Sequence, residues 1–242
     1  MKKFVVFIKK VGLYIVGLLI ILGMLLLNDV PTLVLNLFEP IFNKKSNGVS
    51  IILFLCWLVI LGAIIWFIWR FYQNKSHDTD ISLSKKDIWR AFKIFLIGRV
   101  IVFIGTGLMQ LIYGDAQSAN DDAIAQLFGP NQTIYYVLIM TIIVAVKAPI
   151  LEELIFRGLP TTLLFKNMPY WVPMILTSLA FSAVHLSSNI ISFAMYAALG
   201  ALMYWAYCSR GRIVDSMMVH FFNNILGAIM LLLSYLFGLP LS

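Results

Sequence analysis

The chain has 242 residues, 61% hydrophobic and 12% charged, where ordinary globular domains carry about 25% charged residues. Its net charge of +7 comes from 18 Lys and Arg against 11 Asp and Glu. The basic residues flank apolar runs, the pattern that orients membrane helices, so a lipid bilayer and not nucleic acid is the partner this charge implies.

Lys2, Lys3, Lys9 and Lys10 precede the apolar stretch Val11–Leu27. With no small-residue cleavage site after it, this stretch reads as a retained anchor and the first span. Ser50–Trp69 is the second, closed by an interfacial belt of Trp66, Trp69, Arg70 and Tyr72. Ser84 followed by Asp87 reads as a capping box opening a helix over Ile88–Tyr113. Lys93 and Arg99 on that helix are expected to snorkel to the inner face. Gly114–Asn131 is an acidic loop without Lys or Arg.

Ile134–Phe165 reads as one long helical stretch that Pro149 and Pro160 kink without ending it. Lys147 lies inside it, and a carboxylate is its natural partner. Trp171–Leu186, Ile190–Tyr207 and Val214–Phe237 follow, with Asp215 read as a cap on the last. The expected fold is all-α: a polytopic membrane bundle of about seven to eight transmembrane helices. Residues 1–130 supply N-terminal helices and loops, and residues 131–242 a core built by the last four helices. The distribution of Lys and Arg places the N-terminus in the cytoplasm and the acidic loop outside. Substrate is then expected from the inner leaflet or the cytosol.

Three clusters interrupt the apolar runs: Glu152-Glu153 with Arg157, Phe181 with His185, and His220 with Asn224. Ionisable groups in membrane helices are costly and mark functional sites. Glu153 and Arg157 are four apart and share a helix face, as do His220 and Asn224. Glu152 is turned ~100° from Glu153 and is free for other work. Counted along the helices at 1.5 Å per residue, Glu152, His185 and Asn224 lie ~18–21 Å from the basic side and His220 ~12 Å, so the clusters can meet. Taken singly, each has a structural reading: an ion pair, a satisfied core histidine, or interhelical amide glue.

Together, Glu152-Glu153-x-x-x-Arg157, Phe181-x-x-x-His185 and His220-x-x-x-Asn224 resemble the three signatures of the CPBP family of intramembrane glutamic endopeptidases. This family, also called Abi or CAAX-protease, contains the type II CAAX prenyl endopeptidases. The resemblance covers roughly Ile150–Asn224. It implies peptide-bond hydrolysis near the membrane. Glu152 would be the general base and His185 would hold the water. His220 and Asn224 would donate to the oxyanion. Glu153, Arg157 and Phe181 would support them. No metal or other cofactor is implied; a zinc alternative would draw ligands from three helices without a His-Glu-x-x-His motif. Substrates would be membrane proteins or peptides: bacteriocins, leaders, signalling peptides or CAAX-like C-termini. So short a chain also points to a multi-pass protein of a bacterial cell membrane. The competing functions are a non-catalytic bacteriocin self-immunity protein and an ion- or proton-coupled transporter.

Overall fold

The computed structural model describes residues 2–42, 47–76, 78, 80–115 and 117–239. Every regular element among them is helical: α1 (Lys2–Phe42), α2 (Asn47–Lys75), α3 (Lys85–Tyr113), α4 (Ala119–Gln126), α5 (Ile134–Leu163), α6 (Trp171–Val184), α7 (Ile190–Cys208) and α8 (Ile213–Phe237). Local signals set their ends. Ser84 and Asp87 close the capping box of α3, and Gly114 ends that helix in the left-handed region at φ 76°. Ser118, Thr133 and Asn189 accept a backbone N–H at the starts of α4, α5 and α7.

Six of the described helices are long and apolar enough to cross a membrane, and with their exposed apolar faces they make a multi-pass bundle. The count falls below the expected seven to eight because α6 has 14 residues, about 21 Å of rise against a hydrocarbon core of about 30 Å. α4 covers the end of this short helix. The Asn120 N–H donates to the Leu186 carbonyl at 3.1 Å, and the Ser118 and Tyr196 hydroxyls bond at 2.8 Å. The acidic segment is therefore partly helical, not a plain loop. α1 also runs well past the expected first span and carries Pro31 and Pro40 within it.

α5 is the axis of the bundle. α1 and α2 pack on one side of it, and α8 on the other, beside α3 and α7. α5 continues through both prolines by widening into π-helical turns at Ile143–Lys147 and Leu154–Gly158, a form of helix that gathers at functional sites. Around the second turn Leu151, Leu154, Ile155 and Leu159 pack with Ile68, Tyr72 and Tyr204 in the core.

The basic end is clasped shut. Arg210 reaches Asp87 and Asp215 at 2.5 Å each, Arg90 reaches Asp215 at 3.1 Å, and Arg212 reaches Asp80 at 3.2 Å. The two carboxylates hold the Arg210 guanidinium above its usual pKa, and hydrogen bonds from Ser82 hold Asp80 below its own. Asp215 thus serves as an acceptor for arginines; the N-cap residue of α8, Arg212, offers no side-chain cap, and the first N–H of the helix, at Ile213, donates to Asp78 at 2.6 Å. With two arginines to satisfy, the Asp215 carboxylate is not available to the backbone.

Candidate active site

Glu152 and Glu153, adjacent in α5, end up in different surroundings because one residue turns a side chain ~100° about a helix. Glu153 is fully buried. Its Oε1 lies 3.1 Å from Arg157 Nη1, an ion-pair contact without hydrogen-bond alignment, and 2.8 Å from His220 Nδ1. Its Oε2 accepts from the Ser216 hydroxyl. Glu152 instead lines a cavity of about 480 Å³, and its Oε2 is buried with no partner among the described residues. A buried acceptor left unpaired inside a cavity is the kind of group that awaits a ligand or water.

Phe181, His185, His220 and Asn224 line the same cavity. α6 ends at Val184, so His185 lies just beyond the helix on extended backbone, φ −88° and ψ 133°, and not within it. Its ring closes the helix end: Nδ1 donates to the Phe181 carbonyl at 2.7 Å, one of the last-turn acceptors that helices leave open. A carbonyl can only accept, so Nδ1 carries the proton and the neutral ring presents Nε2 as an acceptor. The Phe181 ring sits at the centre of the site, 4.2 Å from the His185 ring, 6.0 Å from the His220 ring and 4.1 Å from the Arg157 guanidinium.

His220 donates from Nδ1 to the Glu153 carboxylate, which again leaves Nε2 as the uncommitted nitrogen. Asn224 Nδ2 donates to the Val144 carbonyl at 3.0 Å. The helix explains this acceptor. The Ala148 N–H bonds back five residues to Ile143, and Pro149 has no N–H to offer the next carbonyl. Asn224 fills that gap and keeps one amide hydrogen in reserve.

Spacing alone missed five residues here. Ser216 is one turn before His220, so the four-residue interval already placed it on the same face. Tyr196 stacks on His185 with centroids 4.8 Å apart and donates to Asp121 at 3.2 Å; nothing sets it apart from other tyrosines in apolar helices. Arg99 does not snorkel to the basic face: it lines the cavity and donates to Asn223 Oδ1 at 2.9 Å. Asn223 and Lys147 line the cavity too. The wall continues to Gln117, Asn120 and Asp121 of the acidic segment and to Ser234 near the end of α8. The cavity therefore leads toward the acidic end, away from the arginine clasp, and not toward the basic side from which substrate was expected. Among the described residues no group of three His, Cys, Asp or Glu side chains is placed to hold a metal ion.

Residues 134–226, which contain every one of the three clusters, match the family model described as type II CAAX prenyl endopeptidase Rce1-like. No curated protein and no solved structure matches the chain.

Proposed function

We propose that this chain, which belongs through residues 134–226 to the type II CAAX prenyl endopeptidase Rce1-like family, hydrolyses peptide bonds within the membrane by water that Glu152 activates. One observation carries the reading. A carboxylate with an unpartnered oxygen lines the same cavity as two imidazoles and a carboxamide, each of which keeps an atom free. Glu152 takes a proton from water as the water oxygen adds to the scissile carbonyl carbon. His185 Nε2 accepts from the same water and orients it. Asn224 gives its remaining amide hydrogen to the oxyanion. His220 can add a second donor at Nε2 when its ring carries both protons, because Nδ1–H is spent on Glu153. The proton then passes from Glu152 to the departing nitrogen as the C–N bond breaks. Glu153, Arg157 and Phe181 position these groups.

Comparative peptidomics of membranes from cells carrying the wild type or Glu152→Gln tests the proposal. Fragments that disappear in the variant support it; identical peptide profiles contradict it.

A further inference from the structure

Asn223 and Asn224 are neighbours in α8, so their side chains leave the helix about 100° apart. Asn224 reaches the Val144 carbonyl of α5, and Asn223 reaches Arg99 of α3. The two carboxamides also meet each other: Asn223 Nδ2 donates to Asn224 Oδ1 at 3.3 Å. Three hydrogen bonds therefore run in series, from Arg99 through both amides to Val144.

The two ends of this series fix its direction. A guanidinium can only donate and a backbone carbonyl can only accept, whereas a carboxamide does either according to which way it is turned. Turning the Asn223 amide over would set its NH2 against the guanidinium. Turning the Asn224 amide over would set its oxygen against the Val144 carbonyl. Arg99 is itself held in place: its guanidinium lies 5.7 Å from the centre of the Phe95 ring, one turn back on α3, while Nη2 donates to Asn223 Oδ1 at 2.9 Å.

The direction matters most at the last amide. Asn224 Oδ1 is engaged by Asn223, one amide hydrogen goes to Val144, and the other is uncommitted beside the cavity that Asn224 lines. Turned over, the same side chain would show an oxygen to any negative charge developing there. The charge of Arg99 also polarises each amide in turn, which makes the last N–H a better donor.

We propose that Arg99 and Asn223 are positioning residues: acting in series, they fix the Asn224 carboxamide with its N–H, and not its oxygen, toward the reacting carbonyl. The inference rests on reading Asn224 as the oxyanion donor, but the orientation itself is measurable without turnover.

The first readout is NMR of detergent-purified protein labelled with ¹⁵N in its asparagines, where the Asn224 side-chain signals are those lost in Asn224→Ala. Arg99→Met removes the donor at the head of the series. Asn223→Asp keeps an acceptor for Arg99 but offers Asn224 only oxygens, which draws its N–H away from the cavity. Both are expected to displace the Asn224 signals, and Arg99→Lys, which still only donates, to return them toward their wild-type positions. Signals that neither variant moves overturn the proposal.

The second readout is steady-state cleavage of one peptide. Arg99→Met and Asn223→Asp are expected to lower kcat about tenfold with KM and the unfolding temperature nearly unchanged, as loss of a contact made only in the transition state does. Arg99→Lys recovers most of the lost rate. Added to Asn224→Ala, neither change costs anything further, because no amide is left to orient. Wild-type kcat in both variants while Asn224→Ala is slow overturns the positioning role and leaves the oxyanion donor standing. A lower unfolding temperature with kcat and KM changing together also overturns it, by marking a merely structural bridge. Displaced signals with wild-type cleavage by Asn224→Ala instead remove the oxyanion donor and leave the orientation standing.

Discussion

His220 Nδ1 donates to Glu153 Oε1 at 2.8 Å, so the second of the paired glutamates is the orienting partner of a cavity imidazole. Glu153 is also the buried counter-ion of Arg157. The two glutamates should therefore respond in opposite ways to substitution. Glu153→Ala leaves a fully buried guanidinium unpaired and is expected to cost about 3–5 kcal/mol of stability. Glu152→Gln changes a side chain with an unpartnered oxygen and should shift stability by no more than about 1 kcal/mol while abolishing turnover. Thermal unfolding in detergent, run beside a cleavage assay, checks both.

Asn224 has two tasks that a double-mutant cycle can separate. Asn224→Ala removes the proposed oxyanion donor, expected to lower kcat about 10²–10³-fold. It also orphans the Val144 carbonyl, at about 1–3 kcal/mol. Pro149→Ala returns an N–H that can serve the same stretch of helix. The double variant should thus be more stable than the sum of the single changes allows, yet remain slow.

Gly200 lets α7 lie against α6 and Arg157. A Cβ there would stand 3.1 Å from the Ser178 Cα and 3.3 Å from Arg157 Nη2. Gly200→Ala is expected to destabilise by about 1–3 kcal/mol through overpacking. Gly62→Ala, where a Cβ meets nothing within 4 Å, should be neutral or stabilising by up to about 1 kcal/mol. Unfolding midpoints of the two variants give the comparison.

Tyr196 ties the acidic segment to His185. Tyr196→Phe keeps the ring stack and loses the bonds to Ser118 and Asp121; Tyr196→Leu loses both. Removal of an aromatic pair is worth about 0.5–1.5 kcal/mol, so Leu is expected to lower kcat/KM about two- to tenfold beyond Phe. Steady-state rates on one peptide decide it.

Much of this geometry was legible in the sequence because helices turn spacing into direction. Four-residue intervals paired Glu153 with Arg157 and put His220 and Asn224 on one face, and counting rise brought the clusters to one depth. The length of α6 was not legible. Trp171–Leu186 looks like a span by hydropathy, and only tertiary bonds from Asn120 and Ser118 show that α4 completes its upper part. Arg99 was misplaced for a related reason. Snorkelling is the general behaviour of a lone arginine in an apolar helix, and the acceptor that overrides it, Asn223, lies 124 residues away in sequence. The widening of α5 likewise follows from Pro149 together with a partner for Val144 on another helix, a pairing no local pattern announces.

The most direct test is hydrolysis by the purified protein in detergent, with wild type and Glu152→Gln compared on peptides with free C-termini in ¹⁸O-labelled water. Glu152-dependent cleavage, with one ¹⁸O atom entering the new carboxylate, is the predicted result. Equal cleavage by both proteins, or no cleavage of any peptide by correctly folded wild type, would contradict the assignment of Glu152 as the base that activates water.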